Sequence, residues 1–209
     1  DSLLKWTGKK LDEIENVLVS IGPGSFTGVR IAISVVKGLF FGRNVNFYEV
    51  NELDALGFQG YYNLKVNLEN DEDVKIYSLI DSRKEKIYCA AYETFNGKAG
   101  RKLELVKNYE VTKLDNVIEE IIENKQDKGN NKKIYLIGDA VFNYKAKILD
   151  KLGYFVKIFE DKNLAINTMT YVEMFLDENL RDDNVIKKTD IFNLKPDYLE
   201  KSQAERDKK

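Results

Sequence analysis

The sequence has 209 residues, of which 43% are hydrophobic, and this is enough apolar material for one large domain or two small ones. Its 33 basic and 35 acidic residues give a net charge of −2, without the basic excess that is usual in a protein that binds tRNA on its own. The absence of histidine excludes Ser-His-Asp and Cys-His catalysis and histidine zinc sites, and the single cysteine, Cys89, excludes an internal disulfide.

The single cysteine and the lengths of the apolar runs indicate the cellular compartment of the protein. Cys89 lies in a strand-like segment, which indicates a buried structural thiol rather than a nucleophile, and a reducing cytoplasm is the simplest interpretation. No apolar run reaches the roughly 18 residues that a membrane-spanning helix needs, and no signal peptide is visible. We therefore expect a cytoplasmic protein without membrane contact.

The first 72 residues predict a helix and a βαβ unit. Leu3, Leu4 and Trp6 are typical of the second half of a helix that ends at Gly8, so we expect the chain to begin inside a longer gene product. The predicted elements that follow are a strand at 16–21, a helix at 29–41, a strand at 45–50 and a short helix at 51–56. The helix is followed by Gly42, which is suited to a helix C-terminus.

A polar stretch at 63–73 is the best candidate boundary, and it divides the chain into units of 1–72 and 73–209. The second unit predicts the order βββαβαβα followed by a tail. Its predicted strands are 75–80, 86–92, 102–109, 133–137 and 154–159, and its main predicted helices are 113–123 and 164–176. The first unit matches the last part of this order, without its first three strands. Two copies of the order form the α/β ribonuclease-H-like fold of the actin, Hsp70 and sugar-kinase superfamily, so we expect this two-lobed fold.

The turn between the first strand and the next helix is the most informative stretch. Glycines allow a ligand to approach the backbone, and free N–H groups at a helix start favour an anion, so the turn is a candidate phosphate-facing loop. A tight turn that simply requires glycine is the other interpretation. No Gly-Lys-Ser/Thr closes the turn, so it is not a Walker loop. The candidate residues are Gly22, Pro23, Gly24, Ser25, Phe26, Thr27, Gly28 and Arg30.

The helix predicted at 29–41 is more apolar than a single buried face requires. Its apolar residues cover an arc of roughly 200°, whereas packing on one sheet needs only about 100°. The excess indicates either a surface for a partner or burial beneath the chain's own N-terminal helix. Ser34 and Gly38 are small residues beside the arc that would let another helix come close. The candidate partner interface comprises Leu3, Leu4, Trp6, Ile31, Ser34, Val35, Gly38 and Phe41.

Two aspartates follow predicted strands. Asp81, beside Arg83 and Lys84, is either a catalytic carboxylate or part of a solvated hairpin turn. Asp139, after Gly138, either faces a nucleotide at the sheet crevice or is a turn residue. The basic residues near the C-terminus are either a frayed end or a minor RNA contact, and they are Lys201, Arg206, Lys208 and Lys209.

The residues from Gly22 to Arg30, Gly-Pro-Gly-Ser-Phe-Thr-Gly-Val-Arg, resemble the signature of the TsaB/YeaZ family. The resemblance extends over nearly the whole chain through four further segments: 81–83, 138–139, Pro-Asp-Tyr-Leu at 196–199 and Ser-Gln-Ala-Glu at 202–205. It implies a non-catalytic relative of the catalytic subunit TsaD, which transfers threonylcarbamoyl to the tRNA adenosine next to the anticodon. It also implies pairing with a TsaD-type subunit through N-terminal-lobe helices, a TsaE-type ATPase as a further partner, indirect contact with tRNA, and a homodimer when alone.

The resemblance further implies no metal and no tightly bound cofactor, with ATP or ADP at the partner interface. One departure concerns the family's first strand, which carries Asp-x-Ser, and the two strands after it, because none of the three is in this chain. We therefore expect the strand at 16–21 to have an unpaired edge and a nucleotide site that needs Asp-x-Ser to be incomplete.

Three other functions compete with this interpretation. A nucleotide hydrolase or kinase of the same superfamily requires an acidic metal cluster and an intact first phosphate hairpin, whereas the sequence has scattered carboxylates and no such hairpin. ATP hydrolysis that is lost on changing Asp81 or Asp139 would favour this alternative. A peptidase is disfavoured by the absence of histidine and by the strand-like setting of Cys89. A free-standing RNA-binding module is disfavoured by the slight acidic excess.

Overall fold

The computed structural model describes residues 2–65, 72–97, 100–126, 132–159, 164–178, 180 and 185–199. Its strands form two sheets, one of three strands and one of five. Within these residues, no helix combines the length and the apolar character that crossing a bilayer demands. The mixture of helices and strands agrees with the predicted α/β class.

The three-stranded sheet contains β1 (Asn16–Ser20), β2 (Asn46–Val50) and β8 (Ile186–Thr189) in the order β1-β2-β8. β1 and β2 are parallel, and the helix α2 (Phe26–Phe40) connects them, which confirms the predicted βαβ unit. The short helix α1 (Ser2–Thr7) and a 3-10 turn (Leu11–Glu13) precede β1. Among the described strands β1 pairs only with β2, so its other edge is open, as predicted.

The five-stranded sheet has the order β5-β4-β3-β6-β7. The strands β3 (Val74–Asp81), β4 (Lys86–Gly97) and β5 (Gly100–Lys113) form the predicted antiparallel meander. The strands β6 (Lys133–Ile137) and β7 (Val156–Ile158) continue from β3 in parallel. The helices associated with this sheet are α3 (Glu52–Lys65), α4 (Leu114–Gln126), α5 (Asp139–Asn143), α6 (Lys145–Leu152) and α7 (Thr168–Leu176).

Several predicted boundaries were wrong, and local contacts explain them. α2 begins at Phe26 rather than at 29, because the Ser25 side chain caps it by accepting a hydrogen bond from the Gly28 N–H. α7 begins at Thr168 rather than at 164, because the Asn167 side chain accepts from the Met169 N–H. α3 continues to Lys65 instead of ending at 56, since nearly all of 53–61 is buried against other elements. Of the predicted boundary at 63–73, residues 66–71 lie outside the described residues.

β8 was not predicted, and it lies beside β2 in the three-stranded sheet. It pairs antiparallel with β2, from Phe47 opposite Thr189 to Val50 opposite Ile186. Residues 186–189 were assigned to the second unit, and their strand pairing places them in the first sheet instead. The division into 1–72 and 73–209 otherwise stays a prediction.

Two faces of the three-stranded sheet are covered by different elements. On one face, α2 contributes Ile33 and Phe40 to a cluster with Val19, Phe47 and Leu194. On the other face, Val50 and Ile186 join a larger cluster that α3, α7 and the five-stranded sheet share. A third cluster lies between α4, α6 and the opposite face of the five-stranded sheet. α2 therefore lies on one side of its sheet, and α3 and α7 lie on the other.

Candidate functional site

The glycine-rich turn is a tight connection tied to two distant segments. Gly22 is buried with φ +102°, a region that favours glycine, and a Cβ there would lie 3.4 Å from the Asp197 carbonyl oxygen. The Gly22 carbonyl accepts from the Glu52 N–H at 2.7 Å, and the Ile21 carbonyl accepts from the Asp197 N–H at 2.8 Å. These contacts account for a glycine at position 22 without a ligand, and the phosphate-facing role stays a prediction.

The remaining loop residues lie nearer the surface. Pro23 is buried and Gly24 is half-buried, whereas Ser25, Phe26, Thr27, Gly28 and Arg30 are exposed. The Ser25 hydroxyl accepts from the Gly28 N–H at 3.2 Å, so this donor of the first turn of α2 is occupied within the chain.

Arg30 lies within an aromatic cluster at the start of α2. Its guanidinium carbon is 3.9 Å from the centre of the Phe26 ring and 5.4 Å from that of Tyr198. The two rings are stacked with centroids 4.9 Å apart, and the Arg30 Nε–H donates to the Tyr198 hydroxyl. The segment around Tyr198 therefore orients a cation beside the loop.

The exposed face of α2 carries an apolar stripe. Ile31, Val35 and Leu39, one helical turn apart from each other, expose 58%, 52% and 48% of their surface, while Ile33 on the opposite face exposes 4%. Ser34 and Gly38 are also exposed, and a Cβ at Gly38 would meet no atom within 4 Å. The alternative that the chain's own N-terminal helix buries this helix is wrong for the described residues.

The other predicted interface residues flank the stripe or lie on α1. Phe41 is 69% exposed and makes an edge contact with Phe192, with ring centroids 6.3 Å apart. Leu3 and Trp6 on α1 are exposed by 69% and 85%, and Leu4 is half-buried. Their exposure is compatible with an interface, and their membership in the same surface as the stripe stays a prediction.

A shallow groove of about 480 Å³ runs along the first three turns of α2. Its walls combine apolar side chains, two small polar residues and one cation: Phe26, Thr27, Arg30, Ile31, Ser34 and Val35. The structure thus brings predicted loop residues and predicted interface residues together in one depression.

Asp81 and Asp139 lie in neighbouring turns, and both carboxylates accept hydrogen bonds within the chain. The Asp139 carboxylate accepts from the Asp81 N–H at 2.8 Å, and its burial raises its pKa. The Asp81 carboxylate accepts from the Arg83 N–H, the Asn143 amide and the Tyr144 hydroxyl at 2.7, 2.9 and 3.1 Å. Both carboxylates are therefore engaged in the turns that the sequence allowed as the alternative to catalysis.

Three features surround these turns. Gly138 has φ +117°, and a Cβ there would lie 2.0 Å from the Leu79 carbonyl oxygen, so the chain requires glycine before Asp139. Arg83, Lys84 and Glu85 all have positive φ in the hairpin between β3 and β4. In the part of the chain that the structure describes, no group of three or more Cys, Asp or Glu side chains is placed to hold a metal ion.

Cys89 is fully buried in β4, and this burial raises the pKa of its thiol to about 12. The prediction of a buried structural thiol is confirmed.

Two residues of this site were absent from the predicted set. Leu39 extends the stripe by one turn beyond Val35, and its spacing from Ile31 and Val35 was the signal that could have found it. Tyr198 is 168 residues from Arg30 along the chain, so no local periodicity connects the two. Its position in the Pro-Asp-Tyr-Leu segment was the one available indication.

Comparisons with known proteins agree on one group. A family model described as "TsaD: tRNA N6-adenosine threonylcarbamoyltransferase" matches residues 1–207. The chain is 26% identical over 204 residues to the tRNA threonylcarbamoyladenosine biosynthesis protein TsaB of Bacillus subtilis, which covers 98% of this chain and 77% of that protein. It is 27% identical over 152 residues to the protein of the same name from Buchnera aphidicola, which covers 72% of this chain and 61% of that protein.

A solved structure supports the fold. YeaZ from Pseudomonas aeruginosa superimposes with a TM-score of 0.67 at 20% identity, over 95% of this chain and 79% of that chain. Together with the family match over residues 1–207, this similarity confirms the predicted α/β ribonuclease-H-like fold.

Proposed function

The chain belongs to the TsaB/YeaZ family, and from this premise we propose that it is a non-catalytic subunit in tRNA threonylcarbamoyladenosine synthesis that binds and activates a TsaD-type catalytic subunit. The observation that carries the proposal is the exposed apolar stripe of Ile31, Val35 and Leu39 on α2. The chain's own described elements leave about half of each side chain in water, so its fold does not account for them.

A helix from a partner would complete the burial of this stripe. Covering the exposed half of each apolar side chain contributes on the order of 1 kcal/mol per residue. Ser34 and Gly38 present little bulk beside the stripe, and the distance between packed helices falls when the residues at their contact are small. α2 therefore has both the driving force and the shape for helix packing.

The remaining parts of the proposal come from the family. A TsaE-type ATPase joins the pair, and tRNA is reached through the complex, in keeping with the net charge of −2 on this chain. The complex works in the cytoplasm, ATP or ADP binds at the partner interface, and the chain holds no cofactor tightly by itself. Without its partner, the chain forms a homodimer through the same surface.

The experiment compares complex formation by the full-length protein and by its Gly38→Arg variant with the TsaD-type subunit of the same organism. Size-exclusion chromatography and pull-down are run with and without ATP or ADP. Gly38→Arg keeps the fold, since a Cβ at this position meets nothing within 4 Å, but its long side chain obstructs helix packing. Ala146→Arg, which places the same side chain on exposed α6, is the matched control.

We expect the wild type and Ala146→Arg to form the complex and the folded Gly38→Arg variant to lose it. No association of the wild type under any nucleotide condition would overturn the proposed function. Association of all three proteins would leave the partner role standing and show that the interface lies elsewhere.

A further inference from the structure

The exposed surface of α2 has one sign of charge. Among residues 26–40 the charged side chains are Arg30 and Lys37, and the helix contains no Asp or Glu. Hydrogen bonds from Asn193 and Phe192 lower the pKa of the Asp190 carboxyl group, and the positive charge of Lys37 lowers it further. The Lys37 ammonium donates to the Phe192 carbonyl at 3.5 Å. Arg30 has no carboxylate within 4 Å among the described residues, so its charge is uncompensated.

Arg30 is also held in place before any partner arrives. The guanidinium lies over the Phe26 ring, which stacks on Tyr198, and the Tyr198 hydroxyl accepts from the Arg30 Nε–H. A planar guanidinium fixed in this way keeps its terminal N–H donors available for a carboxylate and loses less conformational entropy on binding. The partial positive charge at the start of α2 adds to the attraction for an anion.

A second copy of this chain fits the surface less well than an acidic partner does, on electrostatic grounds. If two α2 helices pack antiparallel about Ser34, Arg30 of one copy lies near Lys37 and Gly38 of the other. If they pack parallel, Arg30 faces Arg30. In both arrangements cations meet cations or apolar groups, and like charges that meet at an interface cost affinity.

We propose that Arg30 recognises a carboxylate of the partner, so that the α2 surface fits a helix with an apolar stripe and an Asp or Glu beside it in preference to a second copy of this chain. The apolar side chains of that helix lie in the groove formed by Phe26, Ile31 and Val35, and its carboxylate binds the guanidinium at the groove wall. This inference rests on the proposed function, and it names the chemistry by which the partner is chosen.

The test measures the dissociation constant of the complex between the full-length protein and its TsaD-type subunit at about 0.05 M and about 0.3 M salt. Arg30→Glu is expected to weaken binding about tenfold or more at low salt. Oppositely charged groups that pair at an interface change the dissociation constant by about this factor or more. Arg30→Lys, which keeps the charge but loses the planar fork, is expected to show a smaller loss. Lys151→Glu on exposed α6 makes the same change in net charge and is expected to bind within about twofold of wild type.

Salt gives a second, independent readout. The wild-type complex is expected to weaken as salt rises, and the Arg30→Glu complex is expected to lose that dependence. Self-association through α2 is expected to strengthen with salt, because screening reduces the repulsion between the cations of two copies. Circular dichroism and thermal unfolding establish that each variant is folded.

Three results would overturn the inference. If Arg30→Glu binds like wild type while Gly38→Arg does not, the stripe binds the partner without a carboxylate, and the proposed function stands. If Arg30→Glu lowers ATP affinity and leaves partner affinity unchanged, Arg30 serves a phosphate instead. If self-association weakens with salt, the argument against a second copy is wrong. Absence of any wild-type complex would remove the proposed function and this inference together.

Discussion

Asp54 is a buried carboxyl group that neither the predicted site nor the partner surface includes. It exposes 5% of its surface on α3, and its two oxygens accept hydrogen bonds from the Tyr92 and Tyr109 hydroxyls, each at 2.8 Å. Burial raises the pKa of this carboxyl group from 3.8 to about 6, although both hydrogen bonds act in the opposite direction. The desolvation cost of the charged form therefore exceeds what two neutral donors return.

Asp54 makes the free energy of unfolding depend on pH in a defined direction. Because the folded state binds this proton more tightly than the unfolded state, the stabilisation is fully present below about pH 4 and is lost as the pH rises through about 6. Between about pH 5 and about pH 7.5, we expect the wild type to lose roughly 1.4 kcal/mol relative to Asp54→Asn, which does not titrate. Urea unfolding of both proteins at the two pH values measures this difference.

The control for this prediction is Asp150→Asn, because Asp150 is exposed on α6. The difference between wild type and Asp150→Asn is expected to stay constant over the same pH range. A constant difference for Asp54→Asn as well would show that Asp54 is ionised throughout.

On α2, residues two positions apart differ between a buried face and an exposed face. Ile33 is 4% exposed and packs with Val19 and Phe47, whereas Ile31 is 58% exposed and lines the groove. Successive residues on a helix are 100° apart, so a change of two positions places the side chain on nearly the opposite side. The broad apolar arc in the sequence therefore reflects two separate surfaces.

Alanine substitutions of the two isoleucines are expected to rank in opposite orders in a stability assay and in a binding assay. Ile33→Ala should lower the free energy of unfolding by about 2–4 kcal/mol, because it leaves a cavity in the core. Ile31→Ala should lower it by less than about 1 kcal/mol and should weaken the TsaD-type complex more than Ile33→Ala does. Chemical unfolding and binding measurements on the same preparations test this ranking. Equal destabilisation by both changes would mean that α2 is covered on both sides within the chain.

Much of α2 and of its apolar stripe was predictable from the sequence because both depend on local periodicity. Ser34, Val35 and Gly38 are exposed on α2, as a partner surface there requires. The start of the helix was predicted three residues late, since the cap that Ser25 forms with Gly28 depends on backbone geometry that hydropathy does not report.

Features that join distant parts of the chain were not predictable in the same way. β8 is four residues long with only Ile186 buried, so its sequence has no pattern of its own, and its pairing with β2 makes it a strand. The Arg30–Tyr198 contact likewise spans 168 residues. Such contacts are consequences of the tertiary fold.

The segment that follows β8 packs against the three-stranded sheet, α2 and the glycine-rich turn. Leu194 is fully buried beneath α2 with Val19, Ile33, Phe40 and Phe47, the Asp197 N–H donates to Ile21, and Tyr198 stacks on Phe26. Residues 194–198 thus support the glycine-rich turn and the first turn of α2. The integrity of the candidate interface depends on a segment more than a hundred residues away in sequence.

Hydrogen exchange can separate the contribution of this segment from the stability of the rest of the molecule. Leu194→Ala should cost about 2–5 kcal/mol of local stability and should lower amide protection mainly in β1, α2 and β2. Leu136→Ala, in the core of the five-stranded sheet, is the matched control and should lower protection mainly in β3, β4 and β6. If both variants lose protection equally across the two sheets, the sheets unfold as one unit. In that case Leu194 would affect partner binding only through global stability, and no separate control of the α2 surface by residues 190–199 would remain.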